Sequence, residues 1–234
     1  MRGKRQICLI FILLVFMGGS LFFSVLRLDF FTISYIEIMG IKRVSEKEVL
    51  KRSGLRIGRN MISFLEANVT EEILKNPWIK SAHIKREFPG KITIEIKEFE
   101  PFCLVLGDDG EIYYMSETGK KLGKANFNEG LDFPVITGEV IVGSELLGEA
   151  LEILKLSLKS VVFTWKEISE INLSSIYGTT VFTTDGRRID FGEDNIAGKW
   201  HKVEGIINHA RRINLTEKYI NISSGKIGIV NFKL

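Results

Sequence analysis

The stretch 76-NPWIKSAHIKREFPGKITIEIKE-98 contains two runs of alternating apolar and polar residues, joined by a short turn. In the second run every other residue is isoleucine, and the residues between are lysine, threonine and glutamate. This two-residue period is typical of β-strands that bury one face and expose the other. Pro89-Gly90 suits the turn, because proline presets φ and glycine accepts a positive φ. The stretch therefore predicts an antiparallel hairpin that is covered on one side.

The residues before this hairpin predict one further strand and two helices. Residues 30–39 alternate as a strand does. Ser45, with Glu48 three residues later, forms the pattern of a capping box, and Gly54 is a typical helix stop. A second helix is predicted from about residue 61 or 65 to residue 75, where apolar residues recur at helical spacing. The order β-α-α-β-β predicts a three-stranded sheet with two helices packed on one face.

An uncharged apolar run, residues 7–26, precedes this unit. Its length of about 20 residues is what a helix needs to cross roughly 30 Å of hydrocarbon. Basic residues come before the run, which places the N-terminus in the cytoplasm and the rest of the chain outside. The run is longer than the apolar part of a cleaved secretory signal. We therefore predict a cytoplasmic tail at 1–6, one transmembrane helix at 7–26 and a short linker at 27–32.

The rest of the chain, from residue 101, predicts a second, mainly antiparallel β domain with two helices, so that the fold class is α+β. Asp185-Gly186 between two apolar runs is a strong hairpin signal. The predicted strands are 102–106, 111–115, 168–173, 179–184, 187–191, 219–222 and 226–233, and the helices are 145–160 and 194–212. Two sets of apolar residues at helical spacing are predicted to face the core: Leu147, Leu151, Leu154 and Leu158, then Ile196, Trp200, Val203, Ile206 and Ile207.

Composition excludes some classes of protein. The formal net charge is +3 over 234 residues, without the clustered basic face of a nucleic-acid-binding protein. The two cysteines are Cys8, in the apolar run, and Cys103, so no intramolecular disulfide is expected.

Few residues offer chemistry. The three histidines, His83, His201 and His209, are each predicted to be solvated. Turn formation accounts for the acidic residues at 108–111 more simply than calcium binding does. No nucleophile-elbow, zinc-protease or phosphate-loop motif is present. We therefore predict no catalytic, cofactor-binding or metal-binding residues.

The C-terminal stretch 226-KIGIVNFKL-234 favours a binding role. It is apolar, and lysines only bracket it. If this strand lies at a sheet edge, its unpaired N–H and C=O groups invite another strand. Such β-augmentation uses main-chain hydrogen bonds for affinity and side chains for specificity.

The order of segments, with 44-VSEKEVLKRSGLRIGRN-60 and 76-NPWIKSAHIKREFPGKITIEIKEFEP-101, resembles a POTRA domain of the FtsQ/DivIB cell-division proteins. The whole chain follows the layout of that family. The resemblance implies a POTRA domain at 33–100 and an FtsQ-type β domain at 101–234. It also implies a bitopic protein of the bacterial cytoplasmic (inner) membrane, enriched at the division septum.

The resemblance further implies a non-enzymatic scaffold. Its partners would be FtsB/DivIC-like and FtsL-like single-pass division proteins, with other divisome components bound through POTRA. Through them it would recruit and regulate septal peptidoglycan synthesis. The implied partner-binding residues are Tyr219, Ser224, Gly225, Ile227, Ile229, Val230 and Phe232.

The chain departs from the family at one place. Many members read roughly D-L-R-Y-x-x-G before the last strand, whereas residues 221–225 here read NISSG. The acidic and arginine positions are missing, so salt bridges from them are not expected. Strand pairing is less affected, because it depends on the backbone.

Two alternatives remain open from the sequence. One is a POTRA-type secretion or outer-membrane assembly factor. The other is a membrane-anchored cell-wall hydrolase using Asp190, Glu193 or Asp194 as paired carboxylates.

Overall fold

A computed structural model describes residues 13–18, 29–126, 128, 132–224 and 226–232. The chain divides into two compact units, Met1–Glu98 and Phe99–Leu234, which we call the N-terminal unit and the C-terminal unit. Each unit has its own cluster of buried apolar side chains.

The predicted transmembrane segment, residues 7–26, lies outside the described residues except for 13–18, which are helical. The predicted cytoplasmic tail, 1–6, also lies outside them. Among the residues that are described, no helix has the length and apolar character needed to span a membrane.

The N-terminal unit is a three-stranded sheet with two helices, as predicted. Its elements are β1 (Tyr35–Met39), α1 (Glu46–Ser53), α2 (Glu66–Leu74), β2 (Ile79–Glu87) and β3 (Lys91–Glu98). The strand order is β1-β3-β2, with β3 parallel to β1 and antiparallel to β2. Isoleucines at alternate positions of β3 face the core, which is the alternation seen in the sequence.

Ser45 and Gly54 cap α1 as predicted, but only the Ser45 half of the predicted capping box forms, because the Glu48 carboxylate bonds elsewhere. The Ser45 hydroxyl accepts a hydrogen bond from the Glu48 amide at 3.3 Å, and Gly54 ends the helix with φ +62°. The Glu48 carboxylate accepts from Arg52 at 3.2 Å and from Asn76 at 2.9 Å. It therefore ties the start of α1 to the residues that follow α2.

Gly90 holds the hairpin against the segment that enters β1. Its φ is +75°, as the sequence predicts, and the Phe88–Pro89 bond is cis. The Gly90 carbonyl accepts hydrogen bonds from the amides of Ser34, at 2.8 Å, and Tyr35, at 3.2 Å. A Cβ at position 90 would come within 2.9 Å of the Thr32 carbonyl oxygen, so a side chain does not fit there.

The C-terminal unit is one nine-stranded sheet with two helices. Its elements are β4 (Pro101–Leu106), β5 (Ile112–Ser116), β6 (Lys121–Lys124), β7 (Val135–Gly138), α3 (Glu145–Lys159), β8 (Ile168–Ser174), β9 (Gly178–Thr183), β10 (Arg188–Gly192), α4 (Ile196–Arg212), β11 (Glu217–Asn221) and β12 (Ile229–Phe232). The strand order is β12-β11-β10-β9-β8-β7-β4-β5-β6. The predicted α+β class is confirmed. β6 and β7 were not predicted, because each has only four residues, too few to show an alternating pattern.

Trp200 anchors α4 to the sheet. Its ring stacks on Phe163 at a centroid distance of 5.1 Å and on Phe191, in β10, at 6.3 Å. All three side chains are buried. Asn195 caps α4 and accepts a hydrogen bond from the Gly198 amide at 3.3 Å, so the helix begins two residues later than predicted.

The predicted core position of Leu158 is wrong, since this side chain is 58% exposed. The other three leucines of the stripe on α3 are buried. The buried face of this helix is wider than the stripe and includes Ala150, Ile153 and Ser157. Leu158 lies in the last turn of α3, at the border of the buried face. The spacing of the leucines does not show whether a side chain at this border is buried or exposed.

We expect Leu154→Ala to lower the free energy of unfolding of the C-terminal unit by about 2–5 kcal/mol, because it leaves a cavity in the core. Leu158→Ala, the same change one turn later, should cost no more than about 0.5 kcal/mol, as for other exposed positions. Urea unfolding followed by tryptophan fluorescence measures both. Equal losses would contradict the assignment of Leu158 to the surface.

Candidate partner-binding edge

The last strand, β12, forms one edge of the nine-stranded sheet. It pairs antiparallel with β11, so that Ile229 lies opposite Asn221 and Val230 opposite Ile220. Within the described residues no strand pairs with the other side of β12. The strand has four residues, half the predicted range of 226–233, and Lys233 lies outside the described residues.

Most of the predicted site residues lie on or beside this edge. Ile227 and Ile229 are 75% and 63% exposed. Val230 and Phe232 are half-buried and line a groove beside the strand. Ser224 lies in the turn before β12, where its hydroxyl donates to the Ile227 carbonyl at 3.0 Å. Gly225 falls outside the described residues.

The groove runs between α4 and β12 and has a volume of about 460 Å³. One wall comes from α4 and the other from the end of the chain. The lining residues are Lys202, Gly205, Ile206, His209, Ile222, Gly228, Val230 and Phe232. Most of this lining is apolar, so the groove suits apolar side chains of a segment that pairs with β12.

The α4 wall was not predicted, because the sequence pattern assigned Ile206 to the sheet-facing side alone and gave His209 no role. Ile206 is half-buried beside the core, and it also lines the groove. A signal was present in Gly205, a glycine inside a helix. A Cβ there would meet nothing within 4 Å, so the missing side chain leaves open space at the groove.

Tyr219, another predicted site residue, lies on β11 and is tied down by its hydroxyl. The hydroxyl donates to the Asp190 carboxylate at 2.7 Å and accepts from the side-chain amide of Asn221 at 2.8 Å. Asp190 also accepts from Thr180 at 3.0 Å and from Arg188 at 2.8 Å. Tyr219 therefore positions the strand that carries β12.

These hydrogen bonds shift two protonation equilibria. The bond to Asp190 raises the pKa of Tyr219, since ionising the phenol would place two anions together. The bond to the same carboxylate raises the pKa of Arg188. The raised pKa values keep the Tyr219 phenol and the Arg188 guanidinium protonated at neutral pH.

A buried ion pair fixes the other end of β11. Arg187 and Glu217 are 6% and 2% exposed, and the Arg187 Nε lies 3.5 Å from the Glu217 carboxylate. At the far end of the strand, the Ile222 amide donates to the Asp190 carbonyl at 2.9 Å. The strand beneath the edge is thus held at both ends.

The polar and titratable side chains around the edge are engaged in structural contacts or lie apart from one another. The Asp190 carboxylate is fully engaged with three donors inside the sheet. Burial raises the pKa of the Cys103 thiol to about 12, which keeps it protonated and unreactive at neutral pH. Among the described residues, no three metal-ligating side chains come together. All three histidines are exposed, as predicted.

The Asp109 carboxylate stabilises the turn at residues 108–111. The Asp109 carboxylate accepts from the Glu111 amide at 3.2 Å and from the Tyr113 hydroxyl at 2.6 Å. The side-chain bond from Tyr113 lowers the pKa of Asp109.

Two family models match the chain. The one described as "POTRA domain, FtsQ-type" matches residues 31–99, and "Cell division protein FtsQ/DivIB, C-terminal" matches residues 104–223. The chain is 30% identical to Cell division protein FtsQ of Geobacter sp. (strain M21) over 200 residues, which is 82% of this chain and 72% of that protein. It is 28% identical to Cell division protein DivIB of Bacillus selenitireducens over 190 residues, which is 79% of this chain and 71% of that protein. The second family match ends at Ser223, before β12.

We expect Tyr219→Phe to lower the free energy of unfolding by about 1.5–3 kcal/mol, the typical value of a hydrogen bond to a charged group. Tyr177→Phe is the matched control, because Tyr177 is exposed in the β8–β9 turn and should lose less than about 0.5 kcal/mol. Urea unfolding measures both variants. No difference between them would show that the Tyr219 hydroxyl does not stabilise β11.

Proposed function

Because this chain belongs to the FtsQ/DivIB family of cell-division proteins, we propose that it is a non-enzymatic scaffold of the bacterial divisome. It would bind FtsB/DivIC-like and FtsL-like single-pass proteins and through them recruit and regulate septal peptidoglycan synthesis. It would span the cytoplasmic membrane once, with its bulk outside, and concentrate at the septum. Other divisome components would bind the N-terminal unit, for which we propose POTRA bounds of 33–100, followed by the β domain at 101–234.

The open edge of β12 carries the proposal. A partner segment in extended conformation would add a tenth strand, and its backbone would satisfy the N–H and C=O groups on the open side of β12. Side chains of that segment would alternate between two faces. One set would enter the groove beside Val230 and Phe232, and the other would lie beside Ile229 and Asn231.

The surface favours recognition through the backbone and apolar contacts. The residues before β12 lack the acidic and arginine side chains expected of the family, and Asn221 and Ser223 bond to each other instead, at 2.8 Å. Lys202 brings a positive charge to the groove wall. We therefore propose a partner segment with apolar residues at alternate positions.

The predicted transmembrane helix at 7–26 would compensate for a modest intrinsic affinity. Two proteins held in one membrane meet at a high effective concentration, so a weak contact suffices for assembly. A scaffold needs no catalytic group, and the engagement of Asp190 inside the sheet supports that reading over a wall hydrolase.

The first test is photo-crosslinking in cells from a photoreactive residue at position 229. Ile176 is the control position, because it is also exposed but lies in the β8–β9 turn, three to four strands or about 14–19 Å across the sheet from β12. We expect position 229 to capture a small single-pass coiled-coil protein and position 176 not to. If position 229 forms adducts only within its own chain, the edge is covered and the proposal is overturned.

The second test fills the groove. Gly205→Leu should raise the stability of α4 by up to about 1 kcal/mol, because leucine is the better helix former. The same side chain would occupy the groove, so we expect loss of co-purification with the FtsB/DivIC-like protein from detergent-solubilised membranes.

Gly148→Leu is the control for this variant. Gly148 is likewise an exposed helical glycine whose added Cβ would meet nothing within 4 Å, but it lies on α3. It should gain similar stability and keep the partner. Full partner recovery with Gly205→Leu would exclude the groove from the binding surface.

A further inference from the structure

An exposed aromatic pair lies near the start of the N-terminal unit. Phe30 and Phe88 are 51% and 49% exposed, and they are the only exposed phenylalanines in the described part of residues 29–232. Their rings stack with centroids 5.8 Å apart, and Phe31 packs edge-on against both, at 5.3 and 5.7 Å. The pair is therefore a preformed apolar projection rather than two independent side chains.

The loop after α1 extends this projection. Its main chain runs beside the entry to β1, since the Met61 amide donates to the Phe31 carbonyl at 2.7 Å and the Gly58 amide to the Ile33 carbonyl at 2.8 Å. Ile57 directly precedes Gly58, Ile62 directly follows Met61, and both isoleucines are exposed. Exposed apolar patches of this kind mark sites that bind a protein, a ligand or a membrane.

Positive charge borders the same patch. Arg56 is exposed, and the Arg59 guanidinium donates to the Gly54 carbonyl at 2.9 Å and stacks over the Phe64 ring. Two acidic side chains of the neighbouring sheet are paired with a lysine, because Lys91 lies 2.9 Å from the Glu37 carboxylate and 3.5 Å from that of Glu87.

We propose that this aromatic patch, made of Phe30, Phe88, Ile57 and Ile62 with Arg56 and Arg59, docks into the headgroup layer of an anionic lipid bilayer. The inference rests on the membrane anchor of the proposed function. The predicted transmembrane run ends at Leu26, four residues before Phe30. Four residues of chain span at most about 14 Å, so Phe30 cannot lie far from the bilayer surface.

The chemistry of the patch fits a bilayer interface better than water. Aromatic and aliphatic side chains leave water at the headgroup level, while arginines attract anionic lipids across a Debye length of about 8 Å at physiological salt. Docking would fix the orientation of the N-terminal unit on the membrane. It would also limit which face of its sheet remains open to other division proteins.

The test uses the full chain, reconstituted in vesicles of phosphatidylcholine with or without phosphatidylglycerol. An environment-sensitive fluorophore is attached at Ser63→Cys, beside Ile62, in a Cys8→Ser background, where Cys103 is buried and unreactive. A second label at Lys47→Cys, exposed on α1, serves as the control position. Brominated lipids report contact with acyl chains by quenching.

We expect the label at position 63 to shift to the blue and to be quenched in anionic vesicles, and the label at position 47 to stay in water. Phe30→Ser with Phe88→Ser should abolish both signals. Leu74→Ser should keep both signals. Leu74 is exposed and is the last residue of α2, a helix about 13 Å long whose first residue lies nearer the patch in sequence. Arg56→Gln with Arg59→Gln should remove the preference for anionic vesicles.

A carbonate wash separates two kinds of failure. If the chain resists the wash but its label at position 63 stays in water like the label at position 47, the docking inference is overturned. The scaffold proposal is then unaffected. A chain that washes off the vesicles is not anchored, and both proposals are then wrong about the membrane.

Discussion

The packing of α4 on the sheet determines where the binding edge lies. Trp200 stacks between Phe163 and Phe191, and truncating a buried aromatic of this kind typically costs about 3–5 kcal/mol. Once α4 crosses over the sheet, the chain returns as β11, parallel to β10. The final segment then turns back antiparallel, and β12 becomes the last strand of the sheet. The same helix supplies one wall of the groove beside that strand, so the packing of α4 on the sheet fixes the position of both the edge and the groove.

A row of paired residues on β9, β10, β11 and β12 supports this edge. Asp190 lies opposite Thr180 on one side and Asn221 on the other, and Asn221 lies opposite Ile229. The hydrogen bonds among the first three residues and Tyr219 run across β9, β10 and β11. Hence Tyr219, which family resemblance assigns to the partner surface, acts in this structure by holding β11 in place. A change at Tyr219 would affect binding through the position of β12.

The sequence predicted what depends on local pattern. Alternation in the opening hairpin, the Ser45 and Gly54 caps and the Asp185-Gly186 turn each appear in the structure where they were expected. The features that could not be predicted depend on contacts between residues far apart in the chain. The groove joins residues 202–209 to 222–232, and nothing local in either segment shows that they meet. Leu158 was misplaced for a related reason, because helical spacing identifies a face and cannot show how much of it the sheet covers.

The proposed recognition at β12 would have to combine a weak contact with selectivity. A four-residue strand offers few main-chain hydrogen bonds, and each contributes only about 0.5–1.5 kcal/mol net. An unprotected edge would also accept many extended segments, including a second copy of itself. The groove would address both problems, since apolar burial beside Val230 and Phe232 would add affinity and exclude partner segments with charged residues at those positions. Residues 221–225 read NISSG and carry no charged side chain, so selectivity at the proposed binding edge would depend more on the shape of the groove than on paired charges.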